Sequence, residues 1–198
     1  MFRLRKDPIC FGCKKFLNEN LEDILKDNEI RELKTCSKCK TVQYCSRDCL
    51  QKNWSEKDGH KQVCNVISRL KKSIDEIETL NEGIGNLKTI TDKDMNDFFT
   101  EKGQFAIKKY HGISGVYRYL DNYESSPRKE YIEKKLTLAY VIWYLAEKHD
   151  SYVFYEKYFN AITHLMRYSP CISEDVIYSV VICLLHLDRD QDAYNLIR

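Results

Sequence analysis

Glycine and proline are scarce in this chain of 198 residues, at seven and three. So few breakers exclude a collagen-like or Pro/Gly-rich disordered chain. They also poorly serve a sandwich or barrel, which needs a turn about every ten residues. Long apolar runs are missing too: nothing approaches the ~20 residues of a membrane helix. The opening Met1–Pro8 carries charge without the apolar stretch of a signal peptide. Nor is there an excess of either charge. Thirty-two Lys and Arg against thirty Asp and Glu leave +2, far from the balance of a dedicated nucleic-acid binder. The length allows one ordinary domain, or a small module joined to a larger one.

Cysteine, by contrast, is abundant and unevenly placed. Seven of the nine fall between Cys10 and Cys64, and Cys171 and Cys183 lie far downstream in apolar surroundings. An odd-numbered cluster without a secretion signal argues against a disulfide framework. Close pairs with a nearby histidine fit metal binding in a reducing, intracellular compartment better. Cys171 and Cys183 read as packed thiols.

Composition breaks near Asn81–Asn86. All seven clustered cysteines lie upstream of it and 13 of the 14 tyrosines downstream. The expected organisation is a module over residues 1–82 and an all-α domain over 83–198. In the second part, Ser126-Pro127 starts a helix over 128–148, with Ile132, Leu136, Ala139, Tyr140, Trp143 and Ala146 at three- and four-residue intervals. Asp150-Ser151 starts another, carrying Phe154, Tyr158, Ile162 and Leu165 until Ser169-Pro170. A third follows Ser173 with Val176, Ile177, Val180, Val181, Leu184 and Leu185, and a fourth follows Asp188–Asp190. Shorter candidates span 94–101 and 104–120. Leu184–Ile197 has the look of a tetratricopeptide-type hairpin hinge, a single weak unit that points to stacked helical hairpins.

The chemistry lies upstream. Cys10 and Cys13, Cys36 and Cys39, Cys45 and Cys49, then His60 and Cys64 form pairs two or three residues apart. That spacing lets two donors converge on one ion with Zn–S bonds of about 2.3 Å. Thiolates with an imidazole select zinc over hard cations. An iron–sulfur cluster would leave His60 and its spacing from Cys64 without a role. Eight ligands close two tetrahedra, so two Zn²⁺ are expected. Spacing alone leaves sequential and interleaved pairing open.

The pattern C-x2-C-(22)-C-x2-C-x5-C-x3-C-(10)-H-x3-C, with Tyr44-Cys45-Ser46 and Trp54, resembles the MYND-type zinc finger. The resemblance implies interleaving: Cys10, Cys13, Cys45 and Cys49 on one ion, and Cys36, Cys39, His60 and Cys64 on the other. It further implies a small cross-braced β-hairpin, a turn of helix capped by Ser46, and a helix from His60 through Cys64, Ile67, Leu70, Ile74 and Ile77. Two departures stand out. The 22-residue gap after Cys13 holds Leu17, Leu21, Ile24 and Leu25, expected as an inserted amphipathic helix within 17–30. Lys57-Asp58-Gly59 reads as a loop extension before His60.

Four protein ligands per ion leave no open position for water or substrate, so the metal is expected to be structural and the chain non-enzymatic. Two divalent ions and seven thiolates would carry the formal charge from +2 to −1. That weakens the case for a nucleic-acid or chromatin-associated regulator acting through Lys14, Lys15, Lys34, Lys38 and Lys40. Fingers of this type accept short extended, proline-containing peptides, which implies an adaptor whose contacts include Val42, Gln43, Tyr44 and Trp54. Leu50 stands where the family often has glutamine. Lysine methyltransferases carry this finger inside a SET domain, but their Asn-His-Ser-Cys motif is missing from this sequence, which makes a methyltransferase fragment the weaker alternative. No membrane partner is expected.

Overall fold

The computed structural model describes residues 9–14, 33–81, 84, 127–166 and 174–197. The candidate helices at 17–30, 94–101 and 104–120, the cap at Ser126, and Cys171 lie outside them. The fold is mainly helical, with one small antiparallel hairpin. Its strands are β1 (Lys34–Thr35) and β2 (Gln43–Tyr44), and its helices are α1 (Arg47–Ser55), α2 (His60–Leu80), α3 (Pro127–His149), α4 (Tyr152–Met166), α5 (Glu174–His186) and α6 (Asp190–Ile197).

Local chemistry explains most of the boundaries. Ser46 is extended and its side chain accepts the Cys49 N–H at 3.1 Å, capping α1 as expected. In α2 the buried side chains are His60, Cys64, Ile67, Ile74 and Ile77, one stripe at helical spacing. Asn81 ends that helix, its backbone and side-chain N–H groups both donating to the Ile77 carbonyl. Pro127 takes the first position of α3, where its missing N–H costs nothing.

Helices α3 and α5 stop by the same device. Asp150 and Asp188 adopt left-handed φ of 45° and 57°. The next N–H then reaches back five residues, Ser151 to Ala146 at 3.2 Å and Arg189 to Leu184 at 2.9 Å. This is the Schellman arrangement, with aspartate in place of the usual glycine. Each reversal folds the following helix back on its predecessor, so α3–α4 and α5–α6 are hairpins and α4 packs on α5.

One apolar core runs through the molecule. It joins Cys10, Phe11, Cys36, Cys39, Val42, Tyr44, Cys64 and Ile67 of the upstream part to Ala139, Leu145, Phe154, Tyr158, Ile162, Val180 and Leu184 of the helices. Phe11 is the bridge. Its ring centroid lies 4.0 Å from that of His149 and 6.0 Å from that of Phe154. A smaller cluster of Ile74, Ile77, Ile84 and Tyr131 fastens α2 to α3. Above it the Tyr131 hydroxyl donates to Glu78, which also pairs with Lys135 at 3.1 Å. Cys183 is a packed thiol as expected, buried and directed at the Tyr155 carbonyl, and burial pushes it up to about 12.

Candidate metal centre

The chain delivers the eight ligand candidates from four places. Cys10 and Cys13 flank a turn in which the Lys14 N–H donates to the Cys10 carbonyl. Cys36 and Cys39 flank a second, closed by the Lys40 N–H on the Cys36 carbonyl. Lys14 and Lys40, at the ends of these turns, share positive φ of 58° and 51°. Cys45 follows β2, Cys49 lies in the first turn of α1, and His60 and Cys64 lie in the first turns of α2. The hairpin sets the distance between the two turns. Lys34 pairs with Tyr44 and Thr35 with Gln43, and the Cys36 N–H donates to the Val42 carbonyl.

The donor atoms gather into two groups, Cys10–Cys13–Cys45–Cys49 and Cys36–Cys39–His60–Cys64, with all atoms of a group within 4.8 Å of one another. The grouping is interleaved along the chain. Bonds of about 2.3 Å from a tetrahedral centre place two sulfurs about 3.8 Å apart. The Sγ pairs Cys13–Cys45 and Cys36–Cys64 are 3.8 Å apart, and Cys45–Cys49 is 3.5 Å. His60 turns Nε2 toward Cys39 Sγ at 3.3 Å. These edges fit a zinc ion in each group.

Electrostatics agrees with the geometry. Burial opposes ionisation of Cys10, but the N–H groups of Cys13, Cys45 and Gly12 outweigh it and hold the thiol at about 7. Cys36 is lowered in the same way, against burial, by the N–H groups of Cys39 and Lys38. Their neighbours pay the reverse. Cys45 and Cys64 are both pushed up to about 12, by burial first and then by the sulfurs around them. Four sulfurs so close cannot all be anionic without a cation between them. Burial holds His60 down at about 4, leaving the neutral imidazole that a metal requires.

The side chains expected to meet a peptide divide into two kinds. Val42 and Tyr44 are each only 1% exposed. Tyr44 faces inward, its hydroxyl donating to Asn53 Oδ1 at 3.0 Å. Gln43 and Trp54 are partly exposed, and Trp54 stands edge-on to His60 with centroids 6.1 Å apart.

His149, at the end of α3, was not singled out by the sequence. Both its ring nitrogens are buried without a hydrogen-bond partner, and burial, then Lys14 and Lys148, hold it down at about 4. The unfolded chain, titrating near 6.5, therefore takes up a proton that the folded chain refuses. Stability attached to this residue is complete above pH 6.5 and is lost as pH falls toward about 4. His149→Phe keeps an aromatic ring against Phe11 and removes that loss. Chemical denaturation from pH 7 to 5 is expected to show the variant gaining on the wild type as pH falls; parallel curves would refute the assignment.

Comparison with known proteins agrees with this geometry. The family model for the MYND finger matches residues 10–64. A SET and MYND domain-containing protein of Dictyostelium discoideum is 41% identical over 58 residues, which are 29% of this chain and 10% of that protein. This chain thus spans a small part of that relative's length. No solved structure matches the chain. No helix of the described residues is long and apolar enough to cross a membrane. Two thiol-rich groups of four ligands, interleaved along the chain, and the match over the same residues have one explanation: residues 10–64 form a MYND finger, a non-catalytic module that binds two zinc ions and belongs to a class generally used in protein–protein interaction.

Proposed function

We propose that the chain is a zinc-braced, non-enzymatic adaptor inside the cell, whose finger takes up a short extended peptide at the open edge of its hairpin. Cys10, Cys13, Cys45 and Cys49 hold one zinc, and Cys36, Cys39, His60 and Cys64 the other. The observation that carries the peptide reading is the state of the two strand edges. The register, with the Cys36 N–H on the Val42 carbonyl, makes Thr35–Gln43 the pair that exchanges no hydrogen bonds. The backbone groups of both residues therefore point outward. On the β2 side the chain's own Phe11 N–H occupies the Gln43 carbonyl at 2.9 Å. On the β1 side no described residue pairs with Thr35 through its backbone, and Lys34 and Thr35 are exposed. An incoming strand finds its hydrogen bonds there. Gln43, whose amide donates to Thr35 Oγ1 at 3.4 Å, lies beside that edge, while Val42 and Tyr44 act as the floor beneath it.

Proline separates this edge from the metal sites. At an edge position whose N–H faces solvent it is tolerated, and it deletes the donor. Thr35→Pro is expected to keep two zinc equivalents while weakening an array-selected, proline-containing peptide about tenfold, the worth of one hydrogen bond of ~1.4 kcal/mol. Calorimetry on the zinc-loaded chain reads both. Unchanged peptide affinity in Thr35→Pro would remove the edge from the account. Tight binding to RNA or DNA with a steep salt dependence would favour the nucleic-acid reading instead.

A further inference from the structure

Two lysines from different helices enter the turn that carries Cys39. Lys71 Nζ, on α2, donates to the Cys39 carbonyl at 2.7 Å and to Thr41 Oγ1 at 3.1 Å. Lys157 Nζ, on α4, donates to the Thr41 carbonyl at 3.0 Å and lies 5.4 Å from the centre of the Phe154 ring. Both side chains are half-buried. Burial first and the neighbouring Lys71 second lower Lys157, while Cys39 opposes them. Among the described residues no carboxylate pairs with either ammonium.

Two cations brought together in a half-buried site favour an anion nearby. The turn itself supplies only carbonyl and hydroxyl oxygens. The anion at hand is the metal group behind it, where one divalent ion, three thiolates and a neutral imidazole sum to one negative charge. We propose that Lys71 and Lys157 are the counter-ions of the zinc group formed by Cys36, Cys39, His60 and Cys64, so that a helix of the downstream layer completes the electrostatics of the finger. This rests on the zinc assignment made above. In this role both lysines are positioning residues. They touch the ligand turn through Cys39 and Thr41, and they drain charge from thiolates that would otherwise repel.

Lys157→Met removes the cation and keeps most of the stem, and Lys157→Arg keeps the cation. In the full chain, both variants and the wild type are expected to carry two zinc equivalents. Release of one of them to a chelator is expected to be about tenfold faster in Lys157→Met, the scale of a lost outer-shell partner. The other zinc should be unaffected, and Lys157→Arg should behave as the wild type. With cobalt in place of zinc, the sulfur-to-metal charge-transfer band of Lys157→Met should move to lower energy, since thiolates without their counter-ion give up electrons more easily. A brace acting only on the backbone would not move that band. If Lys157→Met lacks the wild-type helical circular dichroism, Lys71→Met is read in its place and is expected to show the same band shift. Two equivalents with unchanged release and spectrum would overturn the counter-ion role alone. Fewer than two equivalents in the wild type would overturn the zinc assignment beneath it.

Discussion

Withdrawal of zinc by a strong chelator is expected to unfold residues 10–64 and to loosen, without erasing, the helical layer beyond them. The first part follows from magnitude. Structural zinc contributes ~10–16 kcal/mol in finger peptides, against ~5–15 kcal/mol for the net stability of a whole domain. The hairpin has two residues per strand and no means of standing alone. Once the ions leave, the crowded thiols must take up protons or separate. The second part follows from the shared core. Phe11 is buried against His149 and Phe154, and its departure exposes the ends of α3 and α4. Helix α4 also packs on α5 directly, with the Tyr158 and Ser179 hydroxyls hydrogen-bonded between them. Hydrogen exchange followed by mass spectrometry should therefore show full loss of protection in the finger and in the first turns of α2. Protection should weaken in α3 near His149 and persist across the α4–α5 contact. An exchange map indifferent to chelation would refute the metal account.

Gly59→Ala should be the most damaging single methyl group in the finger. A Cβ at this position would collide with the Asn53 carbonyl oxygen and lie 2.9 Å from that of Glu56. Both obstacles are backbone, so no side chain can step aside. Asn53 is itself buried and tied to Tyr44 and Glu56 by its side chain. The turn must open, and the next residue is His60. The expected cost is about 3–5 kcal/mol, at the diagnostic end for a point substitution. Zinc should be lost from the group that contains His60, with one equivalent remaining. Gly12→Ala gives the complementary result. Its Cβ would meet the Cys49 carbonyl oxygen at 2.6 Å, so the deficit should fall on the other group. Single-equivalent losses from the two variants, distinguished by which cysteines become open to alkylation, would verify the interleaved sets. Two equivalents in Gly59→Ala would contradict them.

Ligand spacing and helical period were legible because both are local. Pairs such as Cys36 and Cys39 declare a metal turn in four residues, and Ile67, Ile74 and Ile77 declare one face of a helix. Helix α3, expected over 128–148, runs Pro127–His149 because proline and the aspartate that reverses the chain mark its ends. What escaped is what joins distant segments. Nothing in the sequence near Thr41 announces an ammonium from Lys157, and nothing near Phe11 announces the ring of His149. Val42 and Tyr44 are contacts that the family resemblance implies, and position along the chain does not tell whether they are exposed. Both are buried, and the Phe11 ring stands edge-on to Tyr44. Gly59 read as slack in a loop, whereas the backbone there is so close to Asn53 that no other residue fits.

The crossing of the two ligand sets has a bearing on biosynthesis. Neither ion can acquire its full complement from its first ligand pair alone: Cys10 and Cys13 wait for Cys45 and Cys49, and Cys36 and Cys39 wait for His60 and Cys64. The set ending at Cys49 is complete before the one ending at Cys64. His149, which covers Phe11, emerges a further 85 residues later, roughly 4–17 s at ordinary elongation rates. For that interval a metal-loaded finger stands on the ribosome with its aromatic face bare, open to any nascent-chain chaperone that recognises exposed rings.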